Sequence, residues 1–391
     1  LYMVQGLPHG FFGQAMPVLL REQGMSLRDI GLMSLVALPW ALKFLWSPWL
    51  DRTTLWRGEH RRSWIFAMNL SAACMLLLLS FFPLSSLVGS GVLTMGVALL
   101  VINILIATQD ISVDAMAVEN LSVKERGIGN GIQVAGYRTG MVIAGGALVS
   151  AFSYIGWQAA LWILAGLMVL GTLPLCWWQP RQHAPLKQPV WQAFKGFFTL
   201  RHAVIWVLMV LFYKFGDAFG SQMLRPYLSD IGVTLPQMGL LLGTGGFIAG
   251  LVGALLGGWL AGKWPRSLAL SVFLVIEALA MGSYAFAGQA SLNQLWGLVV
   301  FEHVAGGMAT AGLFTVMMDR CRVGSEGSDY ALQSCMVIVA GMLAGSLSGI
   351  SAEALGYTQH LVIAGGMCLL AVPLVLLAQR QALFLAVKAD L

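Results

Sequence analysis

Twelve long apolar runs dominate this sequence, and they constrain the fold more than any other feature. A helix needs about 20 apolar residues to cross the hydrocarbon core of a bilayer. We number the runs as spans 1 to 12, at approximately residues 1–20, 29–50, 63–83, 91–118, 129–152, 157–178, 203–224, 235–260, 268–288, 292–318, 329–352 and 357–379. Because each run is long enough to cross a membrane, the sequence predicts an all-α membrane protein with twelve transmembrane helices.

The composition excludes several other classes of protein. Of the 391 residues, 58% are apolar and 10% are charged, whereas soluble globular domains carry about 25% charged residues. The chain is therefore too apolar for a soluble enzyme, a nucleic-acid-binding domain or a disordered protein. Its five cysteines are scattered without a CxxC pair, so the sequence predicts neither a metal site nor a disulfide framework.

The basic residues predict the orientation in the membrane. If span 1 runs outward from the cytoplasm, 16 of the 22 Lys and Arg residues fall in inward loops or the C-terminal tail, and three in outward loops. Cytoplasmic loops are enriched in Lys and Arg, so both termini are predicted to be cytoplasmic. The formal net charge of +5 then reflects topology, and we expect no nucleic-acid partner.

Internal repeats predict how the spans are arranged. Residues 20–32 match residues 228–240 at a constant offset of 208, and residues 119–145 match residues 319–345 at an offset of 200. Each copy holds six spans in the same order, which places the repeat axis along the membrane normal. This is the major facilitator arrangement of two pseudo-symmetric six-helix halves.

The repeats define three parts of the chain. We predict an N-terminal six-helix bundle at 1–178, a cytoplasmic linker at 179–202 and a C-terminal six-helix bundle at 203–391. The second part of the linker contains four aromatic residues and is a candidate for a short amphipathic helix on the inner surface.

Charged residues inside the spans are the first candidates for function, because a bilayer makes them costly and they usually face the protein interior. One face of span 4 is lined by Asn103, Ala107, Asp110 and Asp114. Two close, buried carboxylates repel each other, and this repulsion favours binding of a proton to one of them. With Arg138 of span 5 as their expected partner, the two Asp residues are candidates for proton coupling. The alternative is a structural network that braces spans 4 and 5.

Spans 1 and 7 supply a second group of candidates. In span 7, Lys214 and Asp217 lie one helical turn apart, just after Tyr213. Such a pair can neutralise itself in the bilayer, and Lys214 is a candidate to bind a substrate carboxylate with Asp217 as its counter-ion. His9 of span 1 matches Asp217 at the offset of 208. A histidine titrates near neutral pH, which suits proton transfer; a hydrogen-bonded interior histidine is the alternative.

Other polar residues within the spans complete the predicted substrate-binding set. The full set comprises Gln5, His9, Gln133, Tyr137, Tyr213, Lys214, Asp217 and Glu302. Proton coupling is assigned to His9, Asp110, Asp114 and Arg138. Lys43 in span 2 and Glu277 in span 9 are left undecided between structural and functional roles.

The sequence predicts no cofactor and no enzymatic activity. Residues 257–264 fit the beginning of a phosphate-binding loop, but Trp264 stands where Ser or Thr is needed to reach magnesium. The segment also lies at the end of a membrane helix rather than after a strand. No nucleophile–base pair stands out, so the expected energy source is an ion gradient or the substrate gradient.

Several segments resemble the major facilitator superfamily. Asp51 and Arg52, followed by Arg61 and Arg62, lie where that superfamily carries an acidic and basic loop between its second and third helices. The spacing in this chain is looser than the usual pattern. The resemblance implies that these four residues form a conformational gate.

Shorter signatures narrow the resemblance to one branch of the superfamily. Residues 43–52 (KFLWSPWLDR), 109–115 (QDISVDA) and 136–140 (GYRTG) are similar to the muropeptide permeases of Gram-negative inner membranes. Residues 4–11 (VQGLPHGF) and 20–24 (LREQG) look more like the sister group of siderophore permeases, which includes the rhizobactin, pyochelin and yersiniabactin-cluster permeases.

The resemblance implies a multi-pass, proton-coupled importer of the bacterial inner membrane that works by alternating access. We predict an iron siderophore as its substrate, with a muropeptide (an anhydro amino sugar linked to a short peptide) as the alternative. The expected partners are this small molecule, protons and the lipid bilayer, and we expect a monomer. A membrane scaffold or signalling protein is a further alternative, but buried polar residues in several spans argue against it.

Overall fold

The structure, a computed structural model, describes residues 1–16, 19–20, 34–56, 60–87, 91–178 and 190–384. All regular elements of this described part are helices. Nine of the helices described are long and apolar enough to cross a membrane. They correspond to spans 3, 4 and 6 to 12, and they are His60–Ser80, Val92–Asn120, Tyr154–Cys176, Ala203–Asp230, Gly239–Lys263, Arg266–Gln289, Leu292–Asp319, Glu326–Leu355 and Tyr357–Arg380.

The remaining three predicted spans are helical in shorter pieces. Span 1 contains Tyr2–Gly10 followed by the π-helical turn Phe11–Ala15. Span 5 contains Arg126–Val142 followed by the π-helical turn Ile143–Ala147. It then runs on to Gly156, whose φ of 74° separates span 5 from span 6. The left-handed region of φ is readily open only to glycine, which explains the turn at this position.

Span 2 begins outside the described residues and continues as short helical segments. These segments are Ser34–Ala37, Leu38–Leu42, Lys43–Leu45 and Ser47–Leu50. Pro39 and Pro48 each lie in the first turn of a segment. Proline is tolerated there because the N–H that it lacks has no partner in the first turn, but it prevents one continuous helix. The predicted all-α fold class is confirmed.

Packing divides the chain into two compact units. Unit 1 consists of Leu1–Asn120, Gly136–Ala193 and Val323–Cys335, and unit 2 of Leu121–Ala135, Phe194–Arg322 and Met336–Leu391. The start of span 5 thus packs in unit 2 and the start of span 11 packs in unit 1. The two predicted six-helix halves therefore remain a prediction based on the repeats.

The linker predicted at 179–202 is described in part. Residues 179–189 lie outside the described residues, and Val190–Phe198 forms a helix. In this helix, Phe197 is fully buried and Gly196 lies against the guanidinium group of Arg322. The predicted helix in the second part of the linker is confirmed; its place on the inner surface remains a prediction.

Glycines allow backbone-to-backbone helix contacts in both units. In unit 1, a Cβ on Gly140 of span 5 would collide with the backbone oxygen of Met3 in span 1. In unit 2, Gly253 and Gly257 of span 8 face the backbone of span 10, and Gly307 of span 10 faces that of span 8. Small residues allow such close approach of membrane helices, where van der Waals contact drives association.

The repeated segment at 228–240 has a clear local structure. It contains the end of helix Leu224–Asp230, where Val233 N donates to Leu228 O at 2.9 Å and Gly232 has a φ of 90°. This is a helix C-terminus closed by a left-handed glycine. In the matching segment at 20–32, residues 21–32 lie outside the described residues.

Candidate functional site

A buried lysine contacts both acidic residues of span 4 in unit 1. The Lys43 ammonium group donates to Asp110 and lies 3.8 Å from Asp114 Oδ2. The three residues are 2%, 5% and 3% exposed, respectively. Burying a charge requires a partner of opposite sign, so Lys43 and the two carboxylates stabilise one another. We call Lys43, Asp110 and Asp114, together with Tyr2, the unit 1 cluster.

Span 1 joins the unit 1 cluster through two polar side chains. The Tyr2 hydroxyl donates to Asp114 Oδ1 at 3.0 Å. One turn further along, Gln5 Nε2 donates to Gln109 Oε1 at 3.0 Å. Two of the predicted residues, Gln5 and Asp114, thus take part in neighbouring hydrogen bonds that connect span 1 to span 4.

Lys43 is a functional candidate that the sequence left undecided. The sequence names Arg138 as the expected partner of the span 4 carboxylates, which stays a prediction, and the structure adds Lys43, whose ammonium group donates to Asp110. Arg138 is half-buried in helix Arg126–Val142. Trp40, one turn before Lys43, donates Nε1 to Asn103 Oδ1 at 3.0 Å, so span 2 follows the polar face of span 4. A charged residue inside span 2 was the available signal, but its neighbour depends on tertiary packing.

His9 and Tyr137 are neighbours in unit 1. Their ring centroids lie 5.7 Å apart. The His9 side chain is exposed, whereas that of Tyr137 is half-buried. Exposure leaves the His9 imidazole accessible to water or to a ligand. Gln133, another residue of the predicted substrate-binding set, is buried in the part of span 5 that belongs to unit 2.

A second lysine lies between two carboxylates in unit 2. Lys214 Nζ is 2.8 Å from Asp217 Oδ2 on the same span and donates to Glu277 Oε1 on span 9. Lys214 also interrupts span 7, because its φ of −105° and ψ of 6° separate Ala203–Tyr213 from Phe215–Ser221. The predicted Lys214–Asp217 pair is present, and Glu277 joins it. We call these three residues the unit 2 triad.

Tyr213 and Glu302 occupy different surroundings in unit 2. Tyr213 is fully buried, and its hydroxyl donates to Leu270 O at 3.1 Å, so it packs between spans 7 and 9. Glu302 is 7% exposed and contacts the imidazole of the adjacent His303. Adjacent residues point about 100° apart on a helix, yet these two long side chains bend towards each other.

Asp51 caps the N-terminus of span 11. The backbone N–H groups of Gly327 and Ser328 donate to the Asp51 carboxylate at 3.2 and 2.8 Å, and the Ser328 hydroxyl donates to it as well. The first N–H groups of a helix lack partners within it and carry partial positive charge. A Cβ on Gly327 would lie 2.6 Å from Asp51 Oδ1, so a larger residue here would displace the Asp51 carboxylate.

Arg61 links this cap to the end of span 4. Its Nη1 lies 2.8 Å from Asp51 Oδ1, and its Nη2 lies 2.7 Å from Glu119 Oε1. Unit 2 contains a similar pair, in which Arg266 Nε lies 2.8 Å from Asp319 Oδ2. Glu119 and Asp319 are equivalent at the repeat offset of 200. The sequence repeat therefore reappears as the same kind of ion pair in each unit.

The other two residues of the predicted gate are the chain neighbours of Asp51 and Arg61. Arg62 Nη2 donates to Cys176 O at 3.2 Å, and its guanidinium lies 5.6 Å from the centroid of the Phe66 ring. Arg52 is half-buried in the turn after Ser47–Leu50. The structure thus brings together Asp51 and Arg61, while Arg62 contacts the end of span 6.

Two protein-family models match the chain. Residues 215–383 match the family described as Major Facilitator Superfamily. Residues 1–153 match the family described as Acetyl-coenzyme A transporter 1. Both matches cover regions in which the described residues form membrane-spanning helices.

Similar sequences cover most of the chain. It is 30% identical to the anhydromuropeptide permease of Escherichia coli K12 over 370 residues. This match covers 92% of this chain and 74% of that protein. It is 28% identical to an uncharacterized protein of Haemophilus influenzae, over 93% of this chain and 91% of that one. It is also 26% identical to Putative transporter AmpG 4 of Rickettsia conorii, over 85% and 84% of the two chains.

Solved structures show the same fold. The E. coli fucose:proton symporter FucP superposes with a TM-score of 0.73 at 13% identity, and covers 96% of both chains. The human organic anion transporter MFSD10 superposes with a TM-score of 0.72 at 14% identity, over 96% of each chain. At such low identity the likeness establishes the fold alone.

The fold and the sequence matches define a membrane-embedded secondary transporter. The chain belongs to the major facilitator superfamily, in the family that includes the anhydromuropeptide permease of E. coli. The prediction that it is not an enzyme is confirmed by this membership. The predicted placement in the siderophore-permease group receives no support from these relatives.

Replacing Lys43 is expected to destabilise unit 1. Lys43→Met leaves the carboxylates of Asp110 and Asp114 without this buried cation, and such a loss costs about 3–5 kcal/mol. Adding Asp110→Asn removes one of the charges and should restore part of that stability. A double-mutant cycle on the detergent-solubilised protein, followed by unfolding, should give a coupling energy of about 1–3 kcal/mol.

The matched control pairs Lys43→Met with Asp230→Asn, an exposed residue of unit 2. Those two changes should be additive within about 0.5 kcal/mol. Additivity of the Lys43 and Asp110 changes as well would show that the pair does not stabilise the fold.

Proposed function

We propose that this chain imports muropeptides across the bacterial inner membrane by proton-coupled alternating access. The observation that carries the proposal is the 30% identity to the E. coli anhydromuropeptide permease over 92% of the chain. The segments that favoured a siderophore, residues 4–11 and 20–24, are short. A match over nearly the whole chain outweighs them, so the muropeptide replaces the siderophore as the first candidate.

The remaining features of the proposal follow from the sequence. The distribution of basic residues supports cytoplasmic positions for both termini. The repeats support two halves, residues 1–178 and 203–391, that move during alternating access. We expect the protein to act as a monomer with no cofactor.

Candidate substrate contacts in unit 1 suit a sugar-peptide. Tyr137 offers a hydroxyl and an aromatic face, and His9 an exposed imidazole. Gln5 is 1% exposed and its amide already donates to Gln109, so we leave it out of the contacts. Neutral polar and aromatic groups bind the hydroxyl and amide groups of such a molecule. In unit 2 the candidates are Gln133, Lys214, Asp217 and Glu302. We leave out Tyr213, because it is fully buried and its hydroxyl already has a backbone partner.

The unit 1 cluster suits a role in proton coupling. Its two carboxylates hold Lys43 from span 2 and Tyr2 from span 1, so their charge controls contacts among three spans. A proton on either Asp would weaken its attraction for Lys43, and a proton at Asp114 Oδ1 would weaken the hydrogen bond from the Tyr2 hydroxyl. The cluster therefore converts proton binding into a change in helix contacts. Arg138 and His9 remain proposed members of the proton path.

The cap on span 11 suits a role as a conformational gate. Asp51 and Arg61 hold the start of span 11 within unit 1 through one carboxylate, and that carboxylate accepts from two backbone N–H groups. A helix end held this way is released when the carboxylate moves, since the cap then loses its hydrogen bonds and its interaction with the helix dipole. We propose that Asp51 and Arg61 form the gate, with Arg52 and Arg62 flanking it.

Ligand binding to the purified protein tests the substrate class. A ligand that binds the folded state at about 100 times its Kd stabilises it by about 2.7 kcal/mol. We expect an anhydro-muropeptide to raise the melting temperature by several degrees, and a ferric aromatic siderophore and an unrelated disaccharide to leave it unchanged. Stabilisation by the siderophore alone would restore the substrate that the short motifs favour.

The coupling role of Asp110 is tested by separating exchange from accumulation in proteoliposomes. Asp110→Asn is expected to keep exchange of labelled muropeptide across the membrane and to lose accumulation driven by a pH gradient, because the amide cannot carry the proton. Asp230→Asn, which alters an exposed carboxylate, should keep both activities. Loss of both activities in Asp110→Asn would instead show that the cluster braces the spans, and full retention would exclude coupling at Asp110.

The native thiol of Cys335 reports on the gate. It is 2% exposed in span 11 and donates to Trp40 O at 3.4 Å within unit 1. Gly327→Ala displaces the Asp51 carboxylate, and loss of a cap costs about 1–2 kcal/mol. Alkylation of Cys335, followed by peptide mass spectrometry, should therefore become about tenfold faster.

Two controls accompany the gate experiment. Gly341→Ala changes a glycine of the same helix that has no neighbour within 4 Å of the added Cβ, so labelling of Cys335 should stay slow. Buried Cys368 of unit 2 should stay unreactive in both variants. An unchanged rate for Cys335 in Gly327→Ala would argue against the gate.

A further inference from the structure

The unit 2 triad carries more negative than positive charge. Lys214 is the cation that contacts both carboxylates, at 2.8 Å from Asp217 and in a hydrogen bond with Glu277. One lysine compensates one carboxylate, so one negative charge is left over. The Glu277 end of the site is closed to solvent, since Glu277 is 1% exposed. An uncompensated buried charge is costly, and binding a cation removes that cost.

Within the described part of the chain, no second lysine or arginine pairs with Asp217 or Glu277. Span 10 approaches at Gly306, where a Cβ would lie between 3.7 and 3.9 Å from a charged atom of each triad member. One turn earlier on that span, Glu302 adds a further carboxylate, which contacts His303. Tyr213 of span 7 and Cys368 of span 12 are the other titratable neighbours, and both are neutral or anionic.

The size of the available space identifies the cation. Glu277 Oε2 and Asp217 Oδ1 are buried and have no hydrogen-bond partner within the described structure. An ammonium group of a substrate or a metal ion needs room for itself and for several ligands. Oxygens that water cannot touch offer no such room, whereas a proton needs none. The geometry therefore points to a proton.

We propose that the unit 2 triad is a second proton-binding site of the transporter, with the proton on Glu277. The side chains of Lys214 and Asp217 are 14% and 17% exposed, so the triad reaches solvent at one edge and is closed at Glu277. A hydronium ion at that edge gives its proton to the triad and becomes water. The proton comes to rest in an O–H bond at Glu277 Oε2 and converts that carboxylate to a neutral carboxylic acid. When the site faces the other side of the membrane, the O–H bond breaks and a water molecule there takes up the proton.

Proton binding at Glu277 changes how span 7 is held. In the unprotonated state Lys214 is attracted to carboxylates on two spans, Asp217 on its own span and Glu277 on span 9. In the protonated state Glu277 is neutral, so Lys214 keeps a charged partner only in Asp217, on its own span. Because Lys214 lies at the break in span 7, the proton frees this break from span 9. The role in transport rests on the proposed function, but proton binding itself requires no substrate.

Infrared spectroscopy of the purified wild-type protein tests the proposal directly. Exposed carboxyls are ionised at neutral pH, so the neutral-minus-alkaline difference spectrum isolates the carbonyl stretch of buried, protonated carboxylic acids. We expect Glu277→Gln to remove one component of this band. The matched variant Glu353→Gln, which changes an exposed glutamate of span 11, should leave the band intact. A band unaffected by Glu277→Gln would overturn the proposal.

A conservative variant covers the case in which Glu277→Gln does not fold. Glu277→Asp keeps a carboxyl group and should shift the frequency of the same component, because the shorter side chain alters its hydrogen bonding. An unshifted band in Glu277→Asp would also overturn the proposal. Neither spectrum involves a muropeptide, so a failed substrate assay and a failed proton site give separate results.

Discussion

The cost of burying charge in a membrane protein governs the polar interior of this transporter. Each unit buries one lysine between two carboxylates: Lys43 with Asp110 and Asp114 in unit 1, and Lys214 with Asp217 and Glu277 in unit 2. Neither lysine is stable in such surroundings without its acids. The spans that supply these groups are therefore held together by charge as well as by packing.

Glycine packing and helix capping complete this design. Glycines bring spans 8 and 10 into backbone contact in unit 2, and spans 1 and 5 in unit 1. At the start of span 11, Gly327 gives the Asp51 carboxylate room to accept from the helix N-terminus. Contacts made through backbone atoms and one carboxylate form and break without repacking large side chains, which suits a protein that must change conformation.

Much of this protein was predictable from its sequence. The apolar runs and the repeats were sufficient for the all-α major facilitator fold, because a bilayer permits few solutions. The charges of span 4 and the Lys214–Asp217 pair were also found, since spacing on one helix fixes which residues share a face. Short motifs favoured a siderophore as the substrate, whereas the relative that matches 92% of this chain favours a muropeptide. Segments of five to eight residues carry little information about a binding site.

The sequence by itself determined which residues enter the membrane and which helix faces are polar, because both depend on local order along the chain. Only the tertiary structure decided their partners. Lys43 of span 2 contacts Asp110 of span 4, and Glu277 contacts Lys214, which lies 63 residues earlier in the chain. These pairings depend on which helices pack side by side, and no spacing within a single helix contains that information.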